Sequence, residues 1–255
     1  MKAAAMPAIA LLVLLQLAHA AGAGEVESCL QEGDELYCTY HLGQDRLDRA
    51  IRLYENAHRA RPDDYRILWR ISEMYQIYGT ILGEDQEDRK IELWERGVEY
   101  GKKAIEADPE GKEGHFYYMA NLGAMVRQQG ALSSVTKARR LRKEIERVLQ
   151  IDPDYAPGLV AKAQYLTKMP RIFGGDDEEA MRLYERAVRS DPGYLVAYHY
   201  MAQLDAEHGR YDEAEAKLRR VLENDRSGCE AAWSMIDRPW AEKLLREIRA
   251  KKADR

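Results

Sequence analysis

The stretch Tyr198–Val221, YHYMAQLDAEHGRYDEAEAKLRRV, decides the fold. Apolar residues recur at helical spacing on both sides of Gly209. Tyr198, Met201 and Ala202 precede it, and Tyr211, Ala214, Leu218 and Val221 follow it. Two such runs so close in sequence make a pair of antiparallel helices. Gly209 supplies the left-handed backbone with which the first helix ends. Ala202 and Ala214 are small where the two helices approach.

Working outward, the same punctuation repeats. Helices are predicted to end at Arg61-Pro62-Asp63, Ala107-Asp108-Pro109, Ile151-Asp152-Pro153 and Ser190-Asp191-Pro192. A further end falls near Asn224-Asp225-Arg226. The prolines lie 47, 44 and 39 residues apart, and the last unit is close to the period of about 34 that marks a tetratricopeptide repeat. Proline cannot continue the old helix but can open the next. Apolar stripes fill the spaces between: Leu47, Ile51, Tyr54 and Ala57; Ile67, Ile71, Met74, Tyr75 and Tyr78; Leu93, Val98, Ala104 and Ile105; Phe116 to Val126; Leu141, Ile145, Val148 and Leu149; Ala180, Leu183, Tyr184, Ala187 and Val188. No run alternates as a strand does. The expected fold is all-α, a tetratricopeptide-type right-handed solenoid of antiparallel helix pairs. The surplus length falls within pairs, at Thr80–Gln86, Gly130–Val135 and Met169–Asp176. Asp237–Ala250 is expected to form a helix that covers the open end of the stack.

Composition agrees with a globular helical chain. Of 255 residues 45% are hydrophobic and 33% charged, with net charge -5. Acidic and basic residues are interspersed, which argues against a dedicated nucleic-acid binder. There are 16 Tyr and 4 Trp but 2 Phe. Tyr in such excess suits half-wet surfaces, where the ring packs and the hydroxyl meets water.

Residues 1–20 read as a signal peptide. Met1-Lys2 gives a positive start, an apolar run covers Ala3 to Leu17, and Ala18-His19-Ala20 precedes the expected cut. Ala21-Gly22-Ala23 offers a second cut, and an uncleaved anchor is the alternative. The organisation is then residues 1–20 signal peptide, 21–227 helical repeat domain and 228–255 C-terminal capping region. The mature chain is expected to be exported or periplasmic, without a transmembrane segment. Cys29, Cys38 and Cys229 are too few for a disulfide-built fold. Cys29 and Cys38 can pair only if the chain turns between them, because nine residues of straight helix separate them by about 13.5 Å. Gln31-Glu32-Gly33-Asp34 is where that turn would fall, and Cys229 would lie in the last helix pair.

Two resemblances follow from particular motifs. Leu68-Trp69-Arg70-Ile71-Ser72, then Glu95 to Ile105, then His115-Phe116-Tyr117-Tyr118-Met119-Ala120-Asn121-Leu122-Gly123 resemble the degenerate tetratricopeptide family of regulators of microtubule dynamics and its bacterial relatives. Met169-Pro170 with Phe173-Gly174-Gly175-Asp176 and Ala180 resembles the periplasmic T component of TRAP transporters. Together they cover residues 45 to 225. The second resemblance implies an accessory to a periplasmic substrate-binding protein for organic acids or apolar molecules, and assembly of several copies of the chain. The lipoprotein cysteine frequent in that family is missing.

No nucleophile elbow, phosphate-binding loop or dinucleotide fingerprint is present, and no Cys/His cluster has metal spacing. The sequence predicts no enzyme, no cofactor and no metal. Gly174-Gly175-Asp176 reads as a turn and helix cap. His115 reads as a histidine satisfied by a neighbour. In such solenoids the first helix of each pair lines the concave face, so the binding candidates are Arg70, Tyr117, Asn121, Arg127, Lys162 and Tyr200. Trp69 suits the core. Phe173 is expected to fold inward over the helix of Tyr165 and wall one side of the groove. The expected function is an exported scaffold that engages a protein or peptide of the cell envelope. The alternative is a ligand-binding accessory of a TRAP-type transporter.

Overall fold

The computed structural model describes residues 24–43, 45–128, 135–223 and 229–253. The signal-peptide reading of residues 1–20 and most of the Gly130–Val135 connection lie outside them. Among the described residues there is no strand.

Helix α1 covers 24–38. It is followed by α2 (Asp45–Ala60), α3 (Tyr65–Ile81), α4 (Glu87–Ala107), α5 (Lys112–Gln128) and α6 (Val135–Ile151). Then come α7 (Ala156–Lys168), α8 (Asp177–Ser190), α9 (Leu195–Glu207) and α10 (Tyr211–Leu222). The last stretch runs from α11 (Glu230–Ala232) through a π-helical turn, Trp233–Asp237, into α12 (Arg238–Ala253). The chain is an all-α solenoid of antiparallel pairs, α3 on α4, α5 on α6, α7 on α8 and α9 on α10.

The Asp-Pro junctions share one physical solution. Asp108, Asp152 and Asp191 each donate a backbone N–H to the carbonyl four residues back, at 2.9, 2.9 and 2.8 Å. Each carboxylate then accepts the N–H two residues on, at 3.0, 3.1 and 2.9 Å. Proline at the next position fits the resulting turn and has no N–H to leave unpaired. One dipeptide thus ends a helix, reverses the chain and starts the next pair. Asp64 and Asp176 cap α3 and α8 by accepting from Arg66 N and Glu179 N. Gly209 has φ 75, the left-handed turn expected of it.

Close approach between α4 and α5, from one pair to the next, is set by a small residue. A Cβ on Gly101 of α4 would stand 2.7 Å from the Tyr118 Cα of α5. Backbone meets backbone there, so only glycine fits.

Two expectations are corrected here. Residues 24–38 form one unbroken helix, so no turn brings Cys29 to Cys38, and both are thiols. Gly33 continues the helix because it packs on the Tyr54 ring, where a side chain would clash. Cys229 lies against the first core cluster, beside Leu36 and Tyr40, and not within the last pair.

The ends of the stack therefore meet. Ala231 of α11 is buried in the same cluster as Val26, Leu30 and Leu36 of α1. His41 Nε2 stands 3.8 Å from Glu230 Oε1. Helix α12 lays Ala241, Leu245 and Ile248 on Ala214, Leu218 and Val221 of α10.

Candidate interaction site

The first helices α3, α5 and α7 put a row of rings on their shared face. Trp69 of α3 stacks on Tyr117 of α5, with centroids 5.9 Å apart and planes 7° from parallel. Phe116 meets Tyr117 edge-on at 5.1 Å and Tyr155, just ahead of α7, at 5.7 Å. The Arg70 guanidinium lies 4.3 Å from the Trp69 ring centre, a cation–π contact. Trp69, Phe116, Tyr117 and Tyr155 are all half-buried.

A polar cluster holds that row in place. Arg70 grips Asp34 of α1 with two hydrogen bonds, Nε to Oδ1 at 2.8 Å and Nη2 to Oδ2 at 2.9 Å. Tyr54 donates to the same carboxylate at 2.6 Å. One turn along α3, Glu73 is 9% exposed. It accepts from the Tyr117 and Tyr37 hydroxyls. Burial pushes the Glu73 carboxyl up to about 7, and the two hydroxyls and Arg70 only partly offset it. Burial alone likewise lifts Asp237 to about 7.

The predicted residues separate into groups. Arg70 and Tyr117 belong to this cluster. Tyr200 lies on Tyr184, its ring 6.2 Å away and nearly parallel, and its hydroxyl pairs with Gln164. Exposed Arg127 bears electrostatically on Tyr200, so these two make a second group. Lys162 lies half-buried on α7. Asn121 is 0% exposed. Its Nδ2 donates to Ser72 O at 3.1 Å, Ser72 Oγ at 3.2 Å and Tyr117 O at 2.8 Å. Ser72 Oγ in turn donates to Gly97 O at 2.8 Å. Asn121 therefore staples α3, α4 and α5 together and is turned away from any partner, one helical turn beneath Tyr117.

Phe173 also departs from expectation. Arg171–Phe173 is a single 3-10 turn, closed by Phe173 N to Pro170 O at 2.8 Å and Gly175 N to Pro170 O at 3.1 Å. Gly174 has φ 92. This self-contained turn points Ile172 and Phe173 outward, 85% and 71% exposed, and not over Tyr165. Its hydrogen bonds are local, so nothing draws the loop back onto the helices.

His115 is held as expected. Its Nδ1 meets Glu144 at 2.7 Å and its Nε2 meets the Pro109 carbonyl at 3.0 Å. Burial pulls its pKa down, but these two acceptors outweigh it and the net shift is upward. Sequence reasoning missed Asp34, Tyr37, Glu73 and Tyr155. The available signal was an acid, Glu73, set among Ile71, Ser72, Met74 and Tyr75. It also passed over Arg139, Arg140, Arg142 and Lys143, all exposed along α6.

Among the described residues no group of His, Cys, Asp and Glu is placed to hold a metal ion. None of their helices is long and apolar enough to cross a membrane. Paired antiparallel helices in this arrangement make a tetratricopeptide-type scaffold fold. The chain belongs to the regulator of microtubule dynamics protein 1-3 family, whose model matches residues 29–161. A tetratricopeptide repeat model matches residues 175–238. Regulator of microtubule dynamics protein 1 of Bos taurus is 23% identical over 194 residues, covering 70% of this chain and 59% of the bovine protein. The chain thus spans about three fifths of that relative's length. Among solved structures, a thermophilic TPR protein of Thermus thermophilus aligns with TM-score 0.63 at 20% identity, over 86% of this chain and 99% of that one. PilW, a type IV pilus biogenesis factor, aligns with TM-score 0.53 at 15% identity, over 89% and 91%.

Proposed function

We propose that the protein is an exported scaffold whose first-helix face receives an extended segment of a partner protein of the cell envelope. The observation that carries this reading is the row Trp69, Tyr117, Phe116 and Tyr155 with Arg70 over its end. Rings at fixed spacing offer apolar area at low entropic cost, and the guanidinium adds a donor for a backbone carbonyl or carboxylate. The Ile172–Phe173 turn is a second, separate contact point. The export part of the reading rests on the N-terminal sequence, and the scaffold likeness to PilW is in keeping with it.

The transporter-accessory reading is the weaker one. It needs a ligand chamber between helices. The crevice among α7, α8 and α9, lined by Gln164, Tyr184, Tyr200 and Gln203, holds about 20 Å³, room for one water. The motif that suggested it, Met169–Asp176, forms the exposed turn and not a chamber wall.

The test is photocrosslinking in the producing cell, with a photoreactive amino acid at Trp69, at Phe173 or at Arg186 on α8. A discrete protein adduct from Trp69 and none from Arg186 is expected. Equal labelling from both positions, or none at Trp69, contradicts the assignment. N-terminal sequencing of the secreted or periplasmic fraction tests export, with Ala21 as the expected first residue.

A further inference from the structure

Cys38 ends α1 and Cys229 precedes α11, 191 positions further along the chain. The fold brings them together. Cys229 Sγ lies 3.8 Å from the carbonyl oxygen of Tyr37, the residue before Cys38. The Cys38 and Cys229 thiols are within hydrogen-bond reach of each other. Both side chains are half-buried. The segments that carry them are fixed by contacts of their own. Ala231 is buried with Leu36 and Tyr40, and His41 faces Glu230 at 3.8 Å. Cys29 takes no part: it is nine positions back on the same straight helix.

We propose that Cys38 and Cys229 form a disulfide that bolts the last helical segment of the solenoid onto the first. Noncovalent packing already brings the two thiols together, so closing the bond needs only their further approach to bonding distance.

The chemistry is thiol–disulfide exchange with a disulfide-bearing oxidant, either a small-molecule disulfide or an oxidoreductase disulfide. One of the two thiols, as its thiolate, attacks one oxidant sulfur, forming a mixed disulfide and releasing one thiol. The other, on losing its proton, attacks the protein sulfur of that mixed disulfide and expels the second thiol. Two protein thiols become one disulfide, and the oxidant's disulfide becomes two thiols. Burial, with Cys229 beside it, pushes the Cys38 thiol up.

The bond has a consequence for the ring-lined face. Helix α1 carries Asp34 and Tyr37, which hold Arg70 and Glu73. Bolting α1 to α11 restrains opening of that wall, and reduction leaves it held by packing alone. In an oxidising compartment the bond persists, and in a reducing one it opens.

The experiment incubates the purified full chain with oxidised glutathione, removes the reagent, denatures and alkylates the remaining thiols. One alkylated cysteine per chain, Cys29, and a peptide joining Cys38 to Cys229 are expected. Amide exchange within 24–38 should slow on oxidation and recover with reductant. Cys29→Ser should keep the bridge, and Cys38→Ser and Cys229→Ser should each lose it. Three alkylated cysteines, a stable glutathione adduct on Cys229, or a bridge that contains Cys29 would overturn the proposal.

Discussion

The Tyr117 hydroxyl donates to the buried carboxylate of Glu73, tying α5 to α3 directly under the stacked Trp69 ring. The same carboxylate takes the Tyr37 hydroxyl from α1. Three successive first helices thus converge on one acid whose pKa is near neutrality. The interaction face is organised around this group, and its protonation is coupled to the stability of the fold.

That coupling has a definite sign. Glu73 has its folded pKa raised from 4.5 to about 7 by burial. The folded state therefore holds a proton that the unfolded state has released between those values. Stability from this group is fully present below about pH 4.5 and is lost as pH rises through about 7. The gap amounts to on the order of 3 kcal/mol. Glu73→Gln should remove this part of the slope and make the protein more stable than wild type at pH 8. Urea denaturation from pH 5 to pH 8 checks it. An unchanged slope in the variant means Glu73 titrates as an exposed acid. Asp237, also raised to about 7, should leave a residual slope of the same sign.

Two glycines should resist substitution for different reasons. Gly209→Val forces a β-branched residue to φ 75 and should cost more than about 1 kcal/mol. Gly101→Ala drives a methyl into the Tyr118 backbone, 2.7 Å away, and should cost about 1–3 kcal/mol. Denaturant midpoints of the two variants measure both effects. A loss near zero at either position shows that its turn or helix contact is not formed.

Much of this was legible in the sequence, and the exceptions are physical. Asp-Pro junctions and Gly209 are local devices, so their effect is readable from a few neighbours. Arg70 and Tyr117 fall on the first-helix face because the helices and their faces follow from periodicity. Asn121 was placed on the same face by the same rule, yet its amide is drawn inward by Ser72 and by the small Gly97 opposite. Asp34, Tyr37 and Tyr155 escaped notice because their roles depend on contacts far away in the chain. Phe173 misled for a related reason: an apolar residue in a loop suggests burial, but the turn closes on itself.

Asn121 and Phe173 should accordingly exchange their expected behaviours. Asn121→Ala removes the hydrogen bonds to Ser72 and to the Tyr117 carbonyl and should cost about 1–3 kcal/mol, whatever it does to binding. Phe173→Ala alters a side chain that is 71% exposed, so stability should change by less than about 0.5 kcal/mol. Thermal melts of the two variants discriminate. A large loss in Phe173→Ala would show that the turn packs onto the helices after all.

A first-helix face that takes an extended polypeptide should bind it through Arg70. The direct measurement selects peptides from a random library on the immobilised protein and then titrates the best binder against wild type, Arg70→Ala and Arg186→Ala by calorimetry. The account predicts that Arg70→Ala weakens binding at least about tenfold, a loss of about 1.4 kcal/mol, and that Arg186→Ala on α8 does not. Binding that tolerates the loss of Arg70, or that depends on Arg186, contradicts it.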